Sequence, residues 1–397
     1  FKFDTGNPPH GNFIISGNWI DGTNHLTYGI INCKNLTYKD FFIKDSNLQI
    51  SIDQNSTSIE NINLHHTYGN LNGALSLNRI KQPIHKNFNY TLDGILPIND
   101  CKEAFGPTIQ TVLDDFNLSS VFIKSTGQIP YDSNDINDTL SDDNFYTIDL
   151  SSDQNGTWHD VKFNGFKGHI TSDFNTTKFD FPLILFANGK LSLQFSLNNI
   201  TESVIFSLDL INAYIRDLYF SVLNFQTKIG KNILGSFNPD LMSKNGTLDL
   251  QIKANCSFND LSSFKGSGKI TVNENELSKL QMLGFLSRGI SNLPLPLPTG
   301  TLKFSKLEGL FEIEHDVLKF DQIILSGLLS KIVNRGSFNF IKGELDITSK
   351  IQLLGNLPIP IVKQFAQFAD PLSTFAEIKI TGPWAEPEWK LLIKPID

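Results

Sequence analysis

The chain has 397 residues, 40% of them hydrophobic, so it is apolar enough to fold and long enough for two or three compact domains or one elongated body. Its formal net charge is -8, and the acidic excess lies before residue 265, which argues against a nucleic-acid partner because phosphate binding needs a basic footprint. The cysteines, Cys33, Cys101 and Cys256, fit neither a disulfide framework nor a metal-binding spacing and allow at most one bridge.

The beginning of the chain shows no targeting segment. Because it starts at Phe1 rather than Met, we expect a signal or an anchor to have preceded it. No uncharged apolar run of about 18 residues follows, so the sequence predicts no membrane-spanning helix. From residue 13 to residue 100, short runs alternate apolar and polar residues between Asn, Gly, Asp and Ser clusters, which predicts antiparallel strands joined by tight turns.

The middle of the chain combines one predicted helix with further strands. Residues 107–122 have apolar side chains at helical spacing after a proline, which predicts a helix. The Asp-rich stretch 131–146 lacks the spacing and the glycine of a calcium loop, so we interpret it as a solvated loop. Alternation of apolar and polar residues resumes at residue 147.

Ten Asn-x-Ser/Thr triplets precede residue 265, and we favour chance in an Asn-rich composition over glycosylation as their explanation.

The last third contains two predicted amphipathic helices. Residues 275–289 carry apolar side chains at three- and four-residue spacings, and residues 359–368 carry a second apolar stripe. The Pro-rich stretch 293–299 is predicted to be an extended connector. Strands are predicted at residues 266–272, 301–304, 309–314, 317–325, 332–340, 343–353, 375–381 and 389–393.

The clearest of these strands is residues 343–353. Leu345, Ile347, Ile351 and Leu353 alternate with polar residues, and only Ser349 interrupts the apolar set. A strand with one apolar face needs cover from another sheet, another chain or a ligand. Since the sequence offers few helices, its function depends on what covers this face.

Residues 264–397 carry a specific order of motifs. They are a GxG strand (Gly266, Gly268), an amphipathic helix, a Pro-rich connector, a Phe-containing strand, a hairpin (Phe311, Ile313, Val317, Leu318), a return strand (Gly336), a Leu-Asp strand (Leu345, Asp346), a short helix and an Ile-x-Gly-x-x-x-x-Pro end (Ile380, Gly382, Pro387). This order resembles the C-terminal region of AsmA-like proteins, a superfamily that includes TamB and resembles the bridge-like lipid-transfer proteins. The chain departs from that pattern at Trp384, Ala385 and Glu386, where family members usually have small or uncharged residues.

The resemblance implies a mainly β fold, in which a long, twisted antiparallel sheet rolls into an open groove with a few amphipathic helices near its C-terminal end. It divides the chain into a repeating β-groove region, 1–263, and an AsmA-like C-terminal region, 264–397. The implied function is transfer of phospholipid or another acyl lipid between the inner and outer membranes of a diderm bacterium. The implied location is the periplasm, with an N-terminal anchor outside this chain and a membrane surface or outer-membrane protein at one end. No cofactor is expected besides bound lipid.

The predicted lining residues lie on the uniformly apolar sides of their strands. They are Leu191, Leu193, Phe195, Leu248, Leu250, Ile252, Phe311, Ile313, Leu345, Ile347, Ile351 and Leu353. The two C-terminal helices are predicted either to cap the sheet or to form a lipid-delivery end. Their apolar stripes include Leu280, Leu283, Leu286, Val362 and Phe365.

Two other interpretations remain open from the sequence. The first is a β-sandwich or β-solenoid surface protein, whose apolar faces cover each other in a dry core. The second is an enzyme, but the chain has no GxSxG or HExxH motif, and the GSGK stretch at 266–269 lacks the rest of a phosphate loop. His65 and His66 are adjacent on a predicted strand, so their rings point apart, and we interpret them as solvated rather than metal-binding. No catalytic residue and no metal site are predicted.

Overall fold

The computed structural model confirms a mainly β protein. It assigns 22 antiparallel strands to one sheet and contains two helices within the residues that it describes. By internal contacts the chain forms two compact units: a first unit, Phe1–Leu185 with Gln194–Thr201, and a second unit, Phe186–Leu193 with Glu202–Asp397. The described residues are 2–18, 20, 24–78, 87–102, 110, 114–130, 145–173, 175–198, 200–228, 245–257, 260–274, 277, 303–328, 330–339, 341–353, 374–383 and 387–392.

The first unit is built mainly from strands that pair with their neighbours in sequence. Its strands are β1 (His10–Ser16), β2 (Leu26–Tyr38), β3 (Phe41–Ile52), β4 (Ser56–His66), β5 (Gly69–Asn78), β6 (Asn87–Leu96), β7 (Phe116–Asn117), β8 (Val121–Pro130), β9 (Phe145–Ser152), β10 (Gly156–Trp158), β11 (Val161–Asp173) and most of β12 (Thr176–Phe186). Strands β1 to β6 form a meander, which continues through β8, β9 and β11. The short β10 pairs with both β7 and β11.

The second unit is one meander, in which strands that follow each other in sequence also pair. It follows β13 (Gly189–Asn198), which contributes residues to both units. Its strands are β14 (Ser203–Tyr214), β15 (Thr247–Ser257), β16 (Asp260–Asn273), β17 (Phe304–Glu314), β18 (Val317–Gly327), β19 (Ser330–Asn339), β20 (Glu344–Leu353), β21 (Thr374–Pro383) and β22 (Glu388–Leu392). Each of these strands pairs antiparallel with the next. The predicted domain boundary at residue 264 falls inside β16 and stays a prediction.

One predicted strand boundary in this unit was wrong. Residues 309–314 do not form a strand separate from Phe304, because both belong to the single strand β17. The pairing register with β18 shifts between Phe304 and Lys306. A bulge of this kind changes the alternation of side chains by one residue, so Phe304 and Leu307 are both buried although their spacing is odd.

The two described helices differ from the predicted ones. Helix α1 (Ile98–Cys101) is a single turn, and α2 (Ile215–Lys228) follows β14 directly. The predicted helix at 107–122 agrees with the helical backbone of Gln110 and Asp114, but it was wrong in its second half, where Phe116–Asn117 is β7 and Val121 begins β8. The Phe116 ring lies 6.4 Å from that of Trp158, and this tertiary contact outweighs the local helical spacing. The predicted C-terminal helices lie almost entirely outside the described residues.

The core of the first unit includes a deeply buried thiol. Cys101 ends α1 beside Ile98 and packs in a cluster with Leu96, Leu118 and Val121. Burial raises the pKa of the Cys101 thiol to about 12, so this cysteine is a structural side chain rather than a nucleophile. All three cysteines of the chain are free, so the one bridge that the sequence allowed does not form.

His66 is a structural residue, and its predicted solvation was wrong. It is 7% exposed, whereas His65 on the opposite face of β4 is exposed. The Nδ1 atom accepts a hydrogen bond from the Tyr68 N–H at 3.2 Å, so Nε2 donates to the Ile95 carbonyl, 2.7 Å away. The ring also packs 5.7 Å from that of Phe41. The adjacent rings do point apart, as the alternation of a strand requires.

We expect His66→Ala to lower the free energy of unfolding by about 2–4 kcal/mol, because it removes a buried ring and leaves two backbone groups without partners. Urea unfolding followed by circular dichroism measures this change. His65→Ala is the matched control and should stay within about 0.5 kcal/mol of wild type. Equal effects of the two substitutions would contradict the structural role of His66.

Candidate functional site

The candidate site is the apolar face of the second unit, which the pairing registers organise into four rows across its strands. The first row is Leu248, Val272, Leu307, Leu325, Ile332 and Ile351. The second is Leu250, Ile270, Gly309, Ile323, Asn334, Ser349, Ile378 and Leu391. The third is Ile252, Gly268, Phe311, Phe320, Gly336, Ile347, Ile380 and Trp389, with a register shift between Phe311 and Phe320. The fourth is Ala254, Gly266, Ile313, Leu318, Phe338, Leu345 and Gly382.

These rows follow from the pleat of the strands. Side chains two residues apart point to the same face, so consecutive rows are about 6.8 Å apart and four rows span about 20 Å. Adjacent strands are about 4.8 Å apart, so the eight strands from β15 to β22 extend the rows over about 34 Å. The result is a broad apolar face on one side of the sheet.

The structure brings eight of the twelve predicted lining residues together on this face. Phe311, Leu345, Ile347 and Ile351 are buried in the hydrophobic cluster of the second unit. The other four, which are half-buried and pack against the same cluster, are Leu248, Leu250, Ile252 and Ile313.

The remaining predicted residues lie elsewhere. Leu191, Leu193 and Phe195 are half-buried on β13, and Phe195 stacks on Phe179 with ring centroids 4.1 Å apart. Leu353 ends β20, but its side chain is outside the described residues, as are the helix residues Leu280, Leu283, Leu286, Val362 and Phe365.

The opposite face of the same strands is polar. Lys319 donates to Glu314 at 2.8 Å, and this hydrogen bond lowers the pKa of the Glu314 carboxyl. Lys306 pairs with Glu308 at 2.5 Å, and Lys379 pairs with Asp346 on the neighbouring strand. These exposed ion pairs contribute little to stability, but they mark this side of the sheet as the water-facing side.

Two glycines of the GxG motif make room for apolar neighbours on the apolar face. A methyl group on Gly268 would lie 2.2 Å from the ring of Phe311, and one on Gly266 would lie 2.7 Å from Cβ of Ala254. The first unit repeats this arrangement, since a methyl group on Gly168 would lie 2.4 Å from the ring of Phe181. An aromatic ring over a cross-strand glycine keeps the apolar face continuous.

Helix α2 covers one end of the apolar face. Ile215 and Tyr219 are buried in the same cluster as Val272 and Leu307 of the first row, and Leu223 packs against that cluster. The sequence analysis missed this helix. Its signal was the spacing of Ile215, Tyr219 and Leu223, which fall four residues apart and therefore on one side of a helix.

A polar pair interrupts the second row. Ser349 is fully buried, and its hydroxyl donates to Oδ1 of Asn334 on the neighbouring strand at 2.7 Å. The Asn334 side chain is 4% exposed and donates through Nδ2 to the Ile323 carbonyl at 2.9 Å. Because each buried donor has a partner, this pair fixes the register of β19 and β20 without leaving a polar group unsatisfied.

The first unit has an apolar face of the same kind. One register row consists of Ser46, Leu64, Leu71, Gly94, Ile123, Leu150 and Gly168. Leu71 and Ile123 are buried in the cluster of that unit, and Leu64 and Leu150 pack against it. Strands with one apolar face therefore occur in both units.

The described part of the candidate site is an apolar surface. No group of three His, Cys, Asp or Glu side chains there could hold a metal ion. None of the helices that the structure describes is long and apolar enough to cross a membrane. The searches of family models, curated proteins and solved structures each found no match for the chain.

The Asn334–Ser349 pair provides a test of the described register. Asn334→Leu should lower the free energy of unfolding by about 1–3 kcal/mol, because it leaves the buried Ser349 hydroxyl without its partner. Adding Ser349→Val should recover most of that loss, since both polar groups are then gone. Equilibrium urea unfolding measures both values.

Thr348→Val is the control for this experiment, because Thr348 lies next to Ser349 on the polar face of β20. It should change stability by less than about 0.5 kcal/mol. Strictly additive losses in the double variant would show that Asn334 and Ser349 do not interact.

Proposed function

We propose that this protein is a non-enzymatic lipid-binding and lipid-transfer protein of the AsmA-like type, with acyl chains lying against the apolar faces of its strands. The observation that carries this proposal is the four-row apolar face of the second unit, opposite a face of lysine–carboxylate pairs. The residue order of the last third, which resembles that of AsmA-like proteins, supports it independently.

A lipid suits this face for energetic reasons. Burial of each methylene group contributes about 0.8 kcal/mol, so acyl chains gain several kcal/mol from a face about 20 Å wide. Apolar rows also discriminate little between chains of different length or branching, because they contain few directional groups. The partner in this proposal is therefore phospholipid or another acyl lipid.

The order of the strands favours a groove over a two-sheet sandwich. In the second unit each described strand pairs with its neighbours in sequence, and outside the strands the described residues that pack against the apolar rows are those of α2 and Leu277. A sandwich places a second sheet over such a face and connects the two sheets by crossovers. We propose instead that the sheet curves and that the open part of the groove is filled by lipid.

The rest of the proposed role follows from the resemblance. We place the protein in the periplasm of a diderm bacterium, anchored by a segment outside this chain, where it moves lipid between the inner and outer membranes. A membrane surface or an outer-membrane protein would then receive lipid at one end. The predicted helices at 275–289 and 359–368 are the proposed delivery end.

We expect the purified protein to carry phospholipid, detected by native mass spectrometry and by analysis of the extracted lipids. Leu250→Glu should reduce bound lipid at least about fivefold, because a carboxylate in the second row must be buried against acyl chains. Asn255→Glu is the matched control, since it places a carboxylate on the exposed face of β15 opposite Lys265, and it should retain bound lipid. Circular dichroism on both variants verifies that the sheet is intact.

A different outcome would support the sandwich. If the wild-type protein is free of lipid, remains monomeric and binds no fluorescent phospholipid analogue, its apolar faces are covered by protein. The lipid-transfer proposal would then be wrong.

A further inference from the structure

Glu274 is a buried acidic side chain that the apolar face does not explain. It is 5% exposed, and neither carboxylate oxygen has a hydrogen-bond partner among the residues that the structure describes. Its backbone N–H donates to the Ser305 carbonyl at 2.9 Å, which fixes the position of the residue at the end of β16. Burying an ionised carboxylate costs free energy unless a positive group pairs with it.

The carboxylate lies at the end of the apolar face that α2 covers. Glu274 follows Val272 of the first row by two residues, which places it on the same side of the sheet. A methyl group on Gly246 would lie 2.0 Å from Oε2 of Glu274 and 3.1 Å from Cδ1 of Ile215, so these three residues meet at one point. Ile215 begins α2, and the positive end of a helix dipole favours an anion there.

The lysine nearest along β17 does not neutralise Glu274. Lys306 is paired with Glu308 at 2.5 Å on the polar face. The site therefore combines an apolar surface with one buried negative charge at its end. A ligand that complements both parts has acyl chains and a cationic headgroup.

We infer that Glu274 binds the primary ammonium of a zwitterionic lipid, such as a phosphatidylethanolamine, whose acyl chains lie against the second to fourth rows of the apolar face, beyond the end that α2 covers. This inference rests on the proposed lipid-binding function and adds a headgroup preference to it. An ammonium donates charged hydrogen bonds to the carboxylate, and such bonds are stronger than those between neutral groups. A lipid with an anionic glycerol headgroup offers no donor of that charge and is disfavoured.

The test is a competition between two lipids with identical acyl chains. The delipidated full chain is incubated with vesicles that contain equal amounts of dioleoyl phosphatidylethanolamine and dioleoyl phosphatidylglycerol, and the protein-bound lipids are quantified by mass spectrometry. Wild type should favour phosphatidylethanolamine about tenfold, a difference of about 1.4 kcal/mol. Glu274→Gln should bring this ratio close to one while total bound lipid stays unchanged.

Two further variants separate charge recognition from a general effect on folding. Gly246→Ala keeps the charge but moves the carboxylate, because the added methyl group would collide with Oε2, so it should also lower the ratio. Glu344→Gln removes an exposed acid on the polar side of β20 and should keep the wild-type ratio. Thermal melting of each variant verifies folding.

The outcomes distinguish this inference from the function on which it rests. If wild type binds both lipids equally, Glu274 does not recognise the headgroup, although the apolar face still binds acyl chains. If Glu274→Gln leaves the ratio of the two bound lipids unchanged, Glu274 likewise does not recognise the headgroup. If no lipid binds at all, the proposed function fails as well.

Discussion

Each strand of the second unit has one apolar side, and the free energy of keeping that side away from water is the constraint on which the structure depends. Leu248, Leu250 and Ile252 on β15 illustrate it, since they alternate with Asp249, Gln251 and Lys253. Antiparallel pairing satisfies the backbone and aligns such residues into rows, but it also collects all the apolar surface on one side. Whatever covers that side determines both the stability and the function of the protein.

The irregular positions of the sheet preserve this one-sidedness. A bulge in β17 shifts the alternation between Phe304 and Lys306, so that Phe304 and Phe311 both point inward. Gly336 has a φ of +152°, and a methyl group there would lie 2.1 Å from the Asp346 carbonyl oxygen, so the close approach of β19 and β20 requires glycine. The Asn334–Ser349 pair adds a directional contact that apolar rows lack. Uniform rows permit slippage between strands, and directional contacts oppose it.

Much of this organisation is visible in the sequence because a period of two is a local property. The alternation at 343–353 predicted β20, with Ser349 as its one polar exception. The pairing of Ser349 with Asn334 could not be predicted, because it depends on the register between two strands, which the sequence of one strand does not reveal. The burial of His66 could not be predicted for the same reason, since its hydrogen-bond partner Ile95 lies on a strand that is distant in sequence. Helix α2 was missed because it follows β14 without a break, and the false helix beyond residue 115 arose because a contact with Trp158 overrides local spacing.

The central claim is that lipid, rather than protein, lies against the apolar face, and site-specific photo-crosslinking tests it most directly. A benzophenone amino acid at Phe311 would lie on the third row, whereas one at Leu310, a residue that is 66% exposed, would face water on the other side of the same strand. After irradiation in intact bacterial cells, mass spectrometry should find phospholipid attached at position 311 and not at position 310. Attachment only to residues of the chain itself at position 311, with no lipid adduct, would contradict this account.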